Sequence, residues 1–175
     1  MEPIEFSEKQ PTPRKFTYRL GDLLEAFEAG DVSVLAHQTN CRGVMGSGIA
    51  ADIAAKYPRA AEIDSMLCNS LDMRGRMAIA EKFDNGSKFI ANLYGQYLPG
   101  RNTDYGLLEN ALYELNSALT QMRNPNHVVG MPLIGCGVGG GDWGVVSMLI
   151  EKTIDAAPVV VYIMDERIFE KVTSP

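Results

Sequence analysis

The chain has 175 residues, 46% of them hydrophobic and 22% charged, with a formal net charge of −6. That length suits one compact domain with a real core, and no apolar run approaches the roughly 18 residues that cross a bilayer. The acidic balance argues against a nucleic-acid surface, since duplex binding draws on many lysines and arginines, but it leaves a phosphorylated small molecule open, because backbone amides and helix N-termini hold phosphate unaided.

The opening stretch, MEPIEFSEKQPTPR, is polar and proline-bearing and reads as a flexible tail over residues 1–14. KFTYRL (Lys15–Leu20) alternates like a strand, and VSVLA (Val32–Ala36) is a short, nearly continuous apolar run that reads as a buried strand. A helix follows with Ile49, Ile53 and Tyr57 on one face, interrupted at Pro58, with a further turn or two through Ile63, Met66 and Leu67. RMAIAEKF and KFIANLY flank DNGS (Asp84–Ser87), a hairpin signal through Asn-Gly. From Tyr105 to Met122 a helical stripe runs through Leu108, Leu112, Leu115 and Leu119, with Asp104 as its N-cap. HVVGMPL reads as a strand, Asp142 caps a helix bearing Val146, Leu149 and Ile150, and VVVYIM (Val159–Met164) is the last strand. Residues 165–175 read as a C-terminal tail. The alternation predicts an α/β fold, a central sheet with helices on both faces.

Two glycine-rich loops stand out, NCRGVMGSG (Asn40–Gly48) and GCGVGGG (Gly135–Gly141). Each follows a strand and precedes a helix, so each lies at the carboxyl edge of the sheet, where open α/β sheets bind ligands. Glycine lets a ligand approach the backbone and reaches φ > 0, and a turn alone needs fewer of them. The bland alternative is two tight strand-to-helix turns. Gly135, Gly137 and Gly140 also fit the GxGxxG dinucleotide fingerprint, with Asp165 about 25 residues on. That fingerprint belongs at the first strand-to-helix turn, whereas only one strand remains here. The three cysteines (Cys41, Cys68 and Cys136) form no metal spacing and point to a reduced, cytoplasmic protein. No metal and no cofactor is expected.

GDLL (Gly21–Leu24), LAHQTNCRGVMGSGIA (Leu35–Ala50) and PLIGCGVGGGDW (Pro132–Trp143), in this order, resemble the macrodomain family, which binds ADP-ribose. The resemblance covers residues 15–164 and implies a three-layer α/β/α fold with a mixed, mostly central sheet. Two branches are similar: the yeast-type ADP-ribose 1″-phosphate phosphatases, and the glycohydrolases that remove terminal ADP-ribose from glutamate or from DNA bases. The resemblance implies that Asp22 accepts from the adenine amino group and that the Leu23 amide faces the ring. It implies that Asn40, Gly46, Ser47, Gly48 and Ile49 surround the distal ribose and diphosphate, and that Gly135, Cys136, Gly137, Val138 and Gly139 hold the diphosphate from the other side. Tyr162 resembles an aromatic that packs on adenine, and reads equally as a core tyrosine.

At the distal ribose, Asn40 is expected among the catalytic residues with His37, which ends the predicted Val32–Ala36 strand beside the first loop and reads either as a core histidine or as a general acid/base. His127 reads as a solvated turn residue. Asp104 and Asp142 stand at predicted helix starts, as caps or as an acidic catalytic partner. The cysteines lack the basic loop that nucleophilic cysteine phosphatases use. Arg42 and Arg101 read as surface residues that can meet phosphate. Tyr94 and Tyr97 fall in a stretch, Asn92–Tyr105, expected to form a loop over the ribose. The glycohydrolase branch carries a lysine after the strand matching IANLY, and an aspartate where this chain has Gly139; here Gly95-Gln96 follows the strand. The expectation is therefore hydrolysis of ADP-ribose 1″-phosphate to ADP-ribose and phosphate, with removal of ADP-ribose from protein or nucleic acid, or non-catalytic ADP-ribose reading, as alternatives. The expected partner is the small-molecule ligand, with no membrane, and no nucleic acid unless it is ADP-ribosylated.

Overall fold

The computed structural model describes residues 16–175. The expected tail over 1–14, and Lys15 at the head of the first expected strand, lie outside the described residues. The elements run β1 (Phe16–Leu20), α1 (Leu23–Ala29), β2 (Val34–Asn40), α2 (Gly48–Lys56), α3 (Pro58–Ser70), β3 (Met77–Phe83), β4 (Lys88–Gln96), α4 (Tyr105–Met122), β5 (Val129–Met131), α5 (Trp143–Thr153), β6 (Val159–Ile163) and α6 (Glu166–Thr173).

The strands form one six-stranded sheet in the order β1-β6-β5-β2-β4-β3. All neighbours are parallel except β3, which returns antiparallel on β4. The β3–β4 turn is the expected Asp84–Ser87 hairpin, with positive φ at Asp84 (49°), Asn85 (56°) and Gly86 (88°). Helices cover both faces. Leu108, Leu112 and Leu115 of α4 and Val146 and Ile150 of α5 close one core with Val34, Ala36, Phe89 and Leu93 of the sheet. Leu23 and Phe27 of α1, Ile53 of α2 and Ala60 of α3 close the other with Leu35 and Ile90. Because β2 alternates, consecutive residues go to opposite cores.

Three differences from the sequence reading have physical causes. Strand β2 does not stop at Ala36: it continues to Asn40, pairing His37 with Asn92 and Asn40 with Gln96 of β4. Residues 165–175 are not a tail. Asp165 accepts from the amides of Arg167 (2.8 Å) and Ile168 (3.0 Å) to start α6, and Phe169 and Val172 pack on the sheet. His127 is no solvated turn residue: it is 3% exposed, its Nδ1 lies 3.1 Å from Ser33 Oγ, and its ring meets Phe89 edge-on.

Candidate functional site

The carboxyl ends of β2, β4 and β5 meet at one edge of the sheet, and a cleft of about 260 Å³ opens there. Three loops wall it. On one side Asn40, Val44 and the start of α2, Ser47 to Ala50, face inward. On the other stand Pro132–Gly135 and Gly137–Gly139 of the loop after β5. Pro99 and Gly100, from the loop after β4, close the end, and Gln38 and Gln96 lie at the floor. The two glycine loops face each other closely: a Cβ on Gly48, at φ 58°, would stand 3.4 Å from Val138 Cγ2.

A polar network holds the floor together. Gln38 Nε2 donates to Gln96 Oε1 (2.7 Å) and to Thr103 Oγ1 (2.8 Å). Gln96 Nε2 donates to the carbonyls of Leu98 (2.6 Å) and Gly100 (3.1 Å), and the Thr103 hydroxyl donates to the Gly135 carbonyl (2.8 Å). Acceptors and donors alternate along this chain, so its amide orientations are fixed by the partners. It ties the loop after β4 to the second glycine loop, and the amide of Thr103 adds a bond to the carbonyl of Gly139 (3.2 Å).

This network explains part of the glycine content. A Cβ on Gly139 would collide with Thr103 Oγ1 and stand 2.8 Å from the Gly135 carbonyl oxygen, and one on Gly141 would stand 2.7 Å from that same oxygen. Those two glycines serve the loop's own packing. A Cβ on Gly137 would meet nothing within 4 Å, so its backbone is open to the cleft. Gly95 is equally constrained: a side chain there would run into Gln38 Oε1 and stand 3.1 Å from Leu108 Cβ. A side chain at Gly95 therefore requires Gln38 to move, and at the neighbouring position the chain carries Gln96, not lysine.

The free amides cluster at the cleft. Helices α1, α4, α5 and α6 each begin with an aspartate that accepts from first-turn amides. Helix α2 begins at Ser47, which makes no such bond, so the amides of Gly48, Ile49 and Ala50 keep the unmet donors of a helix N-terminus and face the cleft. Opposite them, the amides of Gly137, Val138 and Gly139 have no acceptor among the described residues, whereas the Cys136 amide is bonded to the Leu133 carbonyl (3.1 Å).

The remaining expected site residues separate into groups. Gly46 lies within the first loop but does not line the cleft. Asn40 lines it, but its side chain braces the loop: Oδ1 accepts from the amides of Arg42 (2.9 Å) and Val44 (3.4 Å), and Nδ2 donates to the Val44 carbonyl (2.7 Å). Asp22 lies outside the cleft at the same sheet edge, two strands beyond β5, and caps α1 through the amides of Leu24 (2.8 Å) and Glu25 (3.4 Å). Leu23 and Tyr162 are both buried in the core under α1, and Tyr162 lies beside Gly21, whose Cβ would stand 3.8 Å from its ring.

Of the expected catalytic residues Asn40 lines the cleft, and His37, Asp104 and Asp142 do not. His37 is corrected outright: with no exposed surface it cannot touch a ligand. Its Nε2 lies 2.7 Å from Asn92 Oδ1, and burial pulls its pKa down to about 4, so it is neutral. Asp104 caps α4 (Leu107 amide, 3.0 Å) and Asp142 caps α5 (Val145 amide, 3.3 Å), and neither lines the cleft. Cys136 also turns inward; its thiol donates to the Ile134 carbonyl (3.3 Å) and burial pushes it up to about 12. Tyr94 belongs to β4 rather than to a loop, is fully buried, and donates to Asp64 Oδ1 at 2.7 Å. Among the residues that line the cleft, none carries a titratable side chain. Gln38, Gln96 and Thr103 are not among the expected site residues; Gln38 and Gln96 carry a signal as polar residues near the ends of β2 and β4, and Thr103, in the loop after β4, carries none.

The family model for the Macro domain matches residues 36–150, which span β2 to α5 and both glycine loops. The chain belongs to the macrodomain family. It is 32% identical over 158 residues to the ADP-ribose 1″-phosphate phosphatase of Lodderomyces elongisporus, covering 85% of this chain and 98% of that one. It is 28% identical over 148 residues to the DNA ADP-ribosyl glycohydrolase of Mycobacterium tuberculosis, of whose length it spans 39%. Among solved structures, the macrodomain of M. tuberculosis DarG superposes with a TM-score of 0.67 at 27% identity, covering 84% of this chain and 96% of that one. The macrodomain of Thermus aquaticus DarG superposes with a TM-score of 0.70 at 24% identity, covering 85% and 97%. Among the described residues of this macrodomain, no helix is long and apolar enough to cross a membrane.

Proposed function

We propose that the cleft binds ADP-ribose, and that this macrodomain hydrolyses ADP-ribose 1″-phosphate to ADP-ribose and inorganic phosphate. The observation that carries the binding reading is the pair of facing amide sets, at the α2 N-terminus and at Gly137–Gly139, across a cleft without charged side chains. A diphosphate between them accepts hydrogen bonds from both walls and gains from the helix end. The distal ribose lies at the Asn40 end and the adenine over β6 towards Asp22.

Two features favour the phosphatase over a lysine-based glycohydrolase: the likeness to the L. elongisporus phosphatase along nearly its whole length, and Gly95-Gln96 in place of a lysine after β4. The reaction consumes one water, breaks the bond joining phosphate to the distal ribose and leaves a hydroxyl on the sugar. No lining side chain takes up or gives a proton, so that transfer runs through water and the phosphate oxygens of the substrate. The protein supplies orientation and fixed dipoles. The same neutral lining favours a second reading, a binding module that holds ADP-ribose without turnover.

Calorimetry with ADP-ribose and phosphate release from ADP-ribose 1″-phosphate separate these. Binding with release supports the phosphatase. Binding without release selects the reader, and release of ADP-ribose from a modified protein or oligonucleotide selects an ADP-ribosyl hydrolase. No binding of ADP-ribose removes all three.

A further inference from the structure

One residue from the loop after β4 grips the second glycine loop on both sides of its free amides. The Thr103 hydroxyl donates to the Gly135 carbonyl at 2.8 Å, and the Thr103 amide donates to the Gly139 carbonyl at 3.2 Å. The unmet amides of Gly137, Val138 and Gly139 belong to the segment between these two points. Within the loop itself, the Gly140 amide donates to the Gly137 carbonyl (3.1 Å) and the Gly141 amide to the Gly135 carbonyl (2.8 Å). A backbone with this glycine content has wide freedom of its own, so its conformation depends on what holds it from outside.

Thr103 is itself held in place. It bridges to Gln96 across the base of its loop, and the next residue, Asp104, donates its amide to the Gly95 carbonyl at 2.8 Å. The direction of the side-chain hydrogen bonds is set from the far end. Leu98 and Gly100 offer carbonyls to Gln96, so Gln96 turns Nε2 to them and Oε1 to Gln38. Gln38 must then present Nε2, because its own oxygen there would stand 2.7 Å from that of Gln96. The second hydrogen of Gln38 Nε2 goes to Thr103 Oγ1 at 2.8 Å, while Gln38 Oε1 is buried without a partner among the described residues. The Thr103 oxygen therefore accepts from Gln38, and its single hydrogen is directed to the Gly135 carbonyl. The methyl has a separate place: a Cβ on Gly135 or on Gly141 would stand 3.3 Å from Thr103 Cγ2.

We infer that Thr103 is a positioning residue for ligand binding: its hydroxyl, oriented through Gln96 and Gln38, holds the Gly135–Gly139 backbone so that three amides aim at a diphosphate. Thr103 does not line the cleft, so it acts only through that backbone. The inference rests on ADP-ribose lying in the cleft as proposed above. Without the hydroxyl every amide is still present, but the cost of ordering the loop falls on the ligand, and affinity drops. The diphosphate is remote from the bond that the proposed phosphatase breaks, so the loss is one of binding alike in ground and transition states: KM rises and kcat stays.

The test measures ADP-ribose Kd by calorimetry for the intact protein and for Thr103→Ala, Thr103→Ser and Thr103→Val, each at a temperature where its melting curve shows it folded. Thr103→Ser keeps the hydroxyl and is expected to bind within about twofold of the parent, whereas Thr103→Ala is expected to weaken binding about fivefold or more. Thr103→Val keeps the methyl without the hydroxyl and is expected to follow Thr103→Ala; if it does not fold, the alanine and serine variants still decide. Where ADP-ribose 1″-phosphate is turned over, Thr103→Ala is expected to raise KM by a similar factor with kcat within about twofold. A serine variant as weak as the alanine one assigns the effect to the methyl and overturns the inference. So does an alanine variant that binds as well as the parent, whatever its melting temperature, or one that loses kcat at unchanged KM. In each of these cases ADP-ribose binding by the parent stands, whereas failure of the unaltered protein to bind ADP-ribose overturns both readings.

Discussion

His37 Nε2 and Asn92 Oδ1 lie 2.7 Å apart across the β2–β4 pair, and neither side chain has any exposed surface. Asn92 Oδ1 only accepts, so the proton sits on Nε2, and Nδ1 is left without a partner among the described residues. Protonating that ring inside the sheet is costly, and burial holds its pKa near 4 against an ordinary 6.5. As pH falls, the unfolded chain takes up this proton first. The stability carried by neutral His37 is complete above about pH 6.5 and is lost progressively towards pH 4, about 3 kcal/mol in all. Urea unfolding of the protein and of His37→Gln between pH 4 and 7 is expected to show a shallower acid slope in the variant. Parallel slopes would take His37 out of the acid response.

Beneath α3 the Tyr94 hydroxyl donates to Asp64 Oδ1 at 2.7 Å, and Asp64 is 1% exposed. The carboxyl pKa is raised by burial, partly offset by this bond, the Cys68 thiol and Asn92. Tyr94→Phe strands a buried acceptor and is expected to cost about 1–3 kcal/mol of stability. The cleft does not depend on this side chain, so ADP-ribose affinity at a temperature where the variant is folded is expected to match the parent. Denaturant titration and calorimetry read the two quantities separately.

Gly137 and Gly139 stand two residues apart and predict opposite outcomes. Gly137→Ala meets no neighbour and is expected to change stability by less than about 0.5 kcal/mol. Its methyl enters the space proposed for the diphosphate, so ADP-ribose affinity is expected to fall about tenfold or more. Gly139→Ala drives a methyl into Thr103 and the Gly135 carbonyl, and is expected to cost about 1–3 kcal/mol of stability through overpacking. A Gly137→Ala protein that binds as well as the parent would remove the second loop from the ligand.

Asp22 has a structural duty at α1 besides its proposed contact with adenine. Asp22→Ser keeps a side-chain acceptor for the first-turn amides but removes the carboxylate. Its melting temperature is expected to stay near the parent's, while ADP-ribose affinity falls by about 1–3 kcal/mol. Unchanged affinity in calorimetry would leave Asp22 as a cap alone.

The layers of the fold were legible because periodicity is local. The Leu108–Leu119 stripe, the Asn-Gly hairpin and the two strand-to-helix glycine turns all lie where their patterns put them. Helix α6 carried a signal that a tail reading overlooked: Asp165 followed by Ile168, Phe169 and Val172 at helical spacing. The misplacement of His37 has a different origin. Ending β2 at Ala36 put His37 at the mouth of the site, whereas pairing with β4 carries the strand four residues further and turns His37 into the core. Strand length is decided by a partner far away in sequence, and no local pattern contains it. The glycine count admits ligand approach or a tight turn, and neither reading contains a contact with another loop. Gly139 and Gly141 answer instead to Thr103 and the Gly135 carbonyl, a contact between distant loops.

A cleft lined only by amides, carboxamides, hydroxyls and apolar groups has a consequence for ionic strength. Most sites for polyanions use lysine or arginine, and added salt weakens them by screening that attraction. Here the lining contributes dipoles, while the whole chain carries a formal charge of −6 that opposes the approach of an anionic ligand. Salt screens the long-range repulsion and leaves short contacts with neutral donors nearly untouched. ADP-ribose is therefore expected to bind as tightly or tighter as salt rises towards physiological strength.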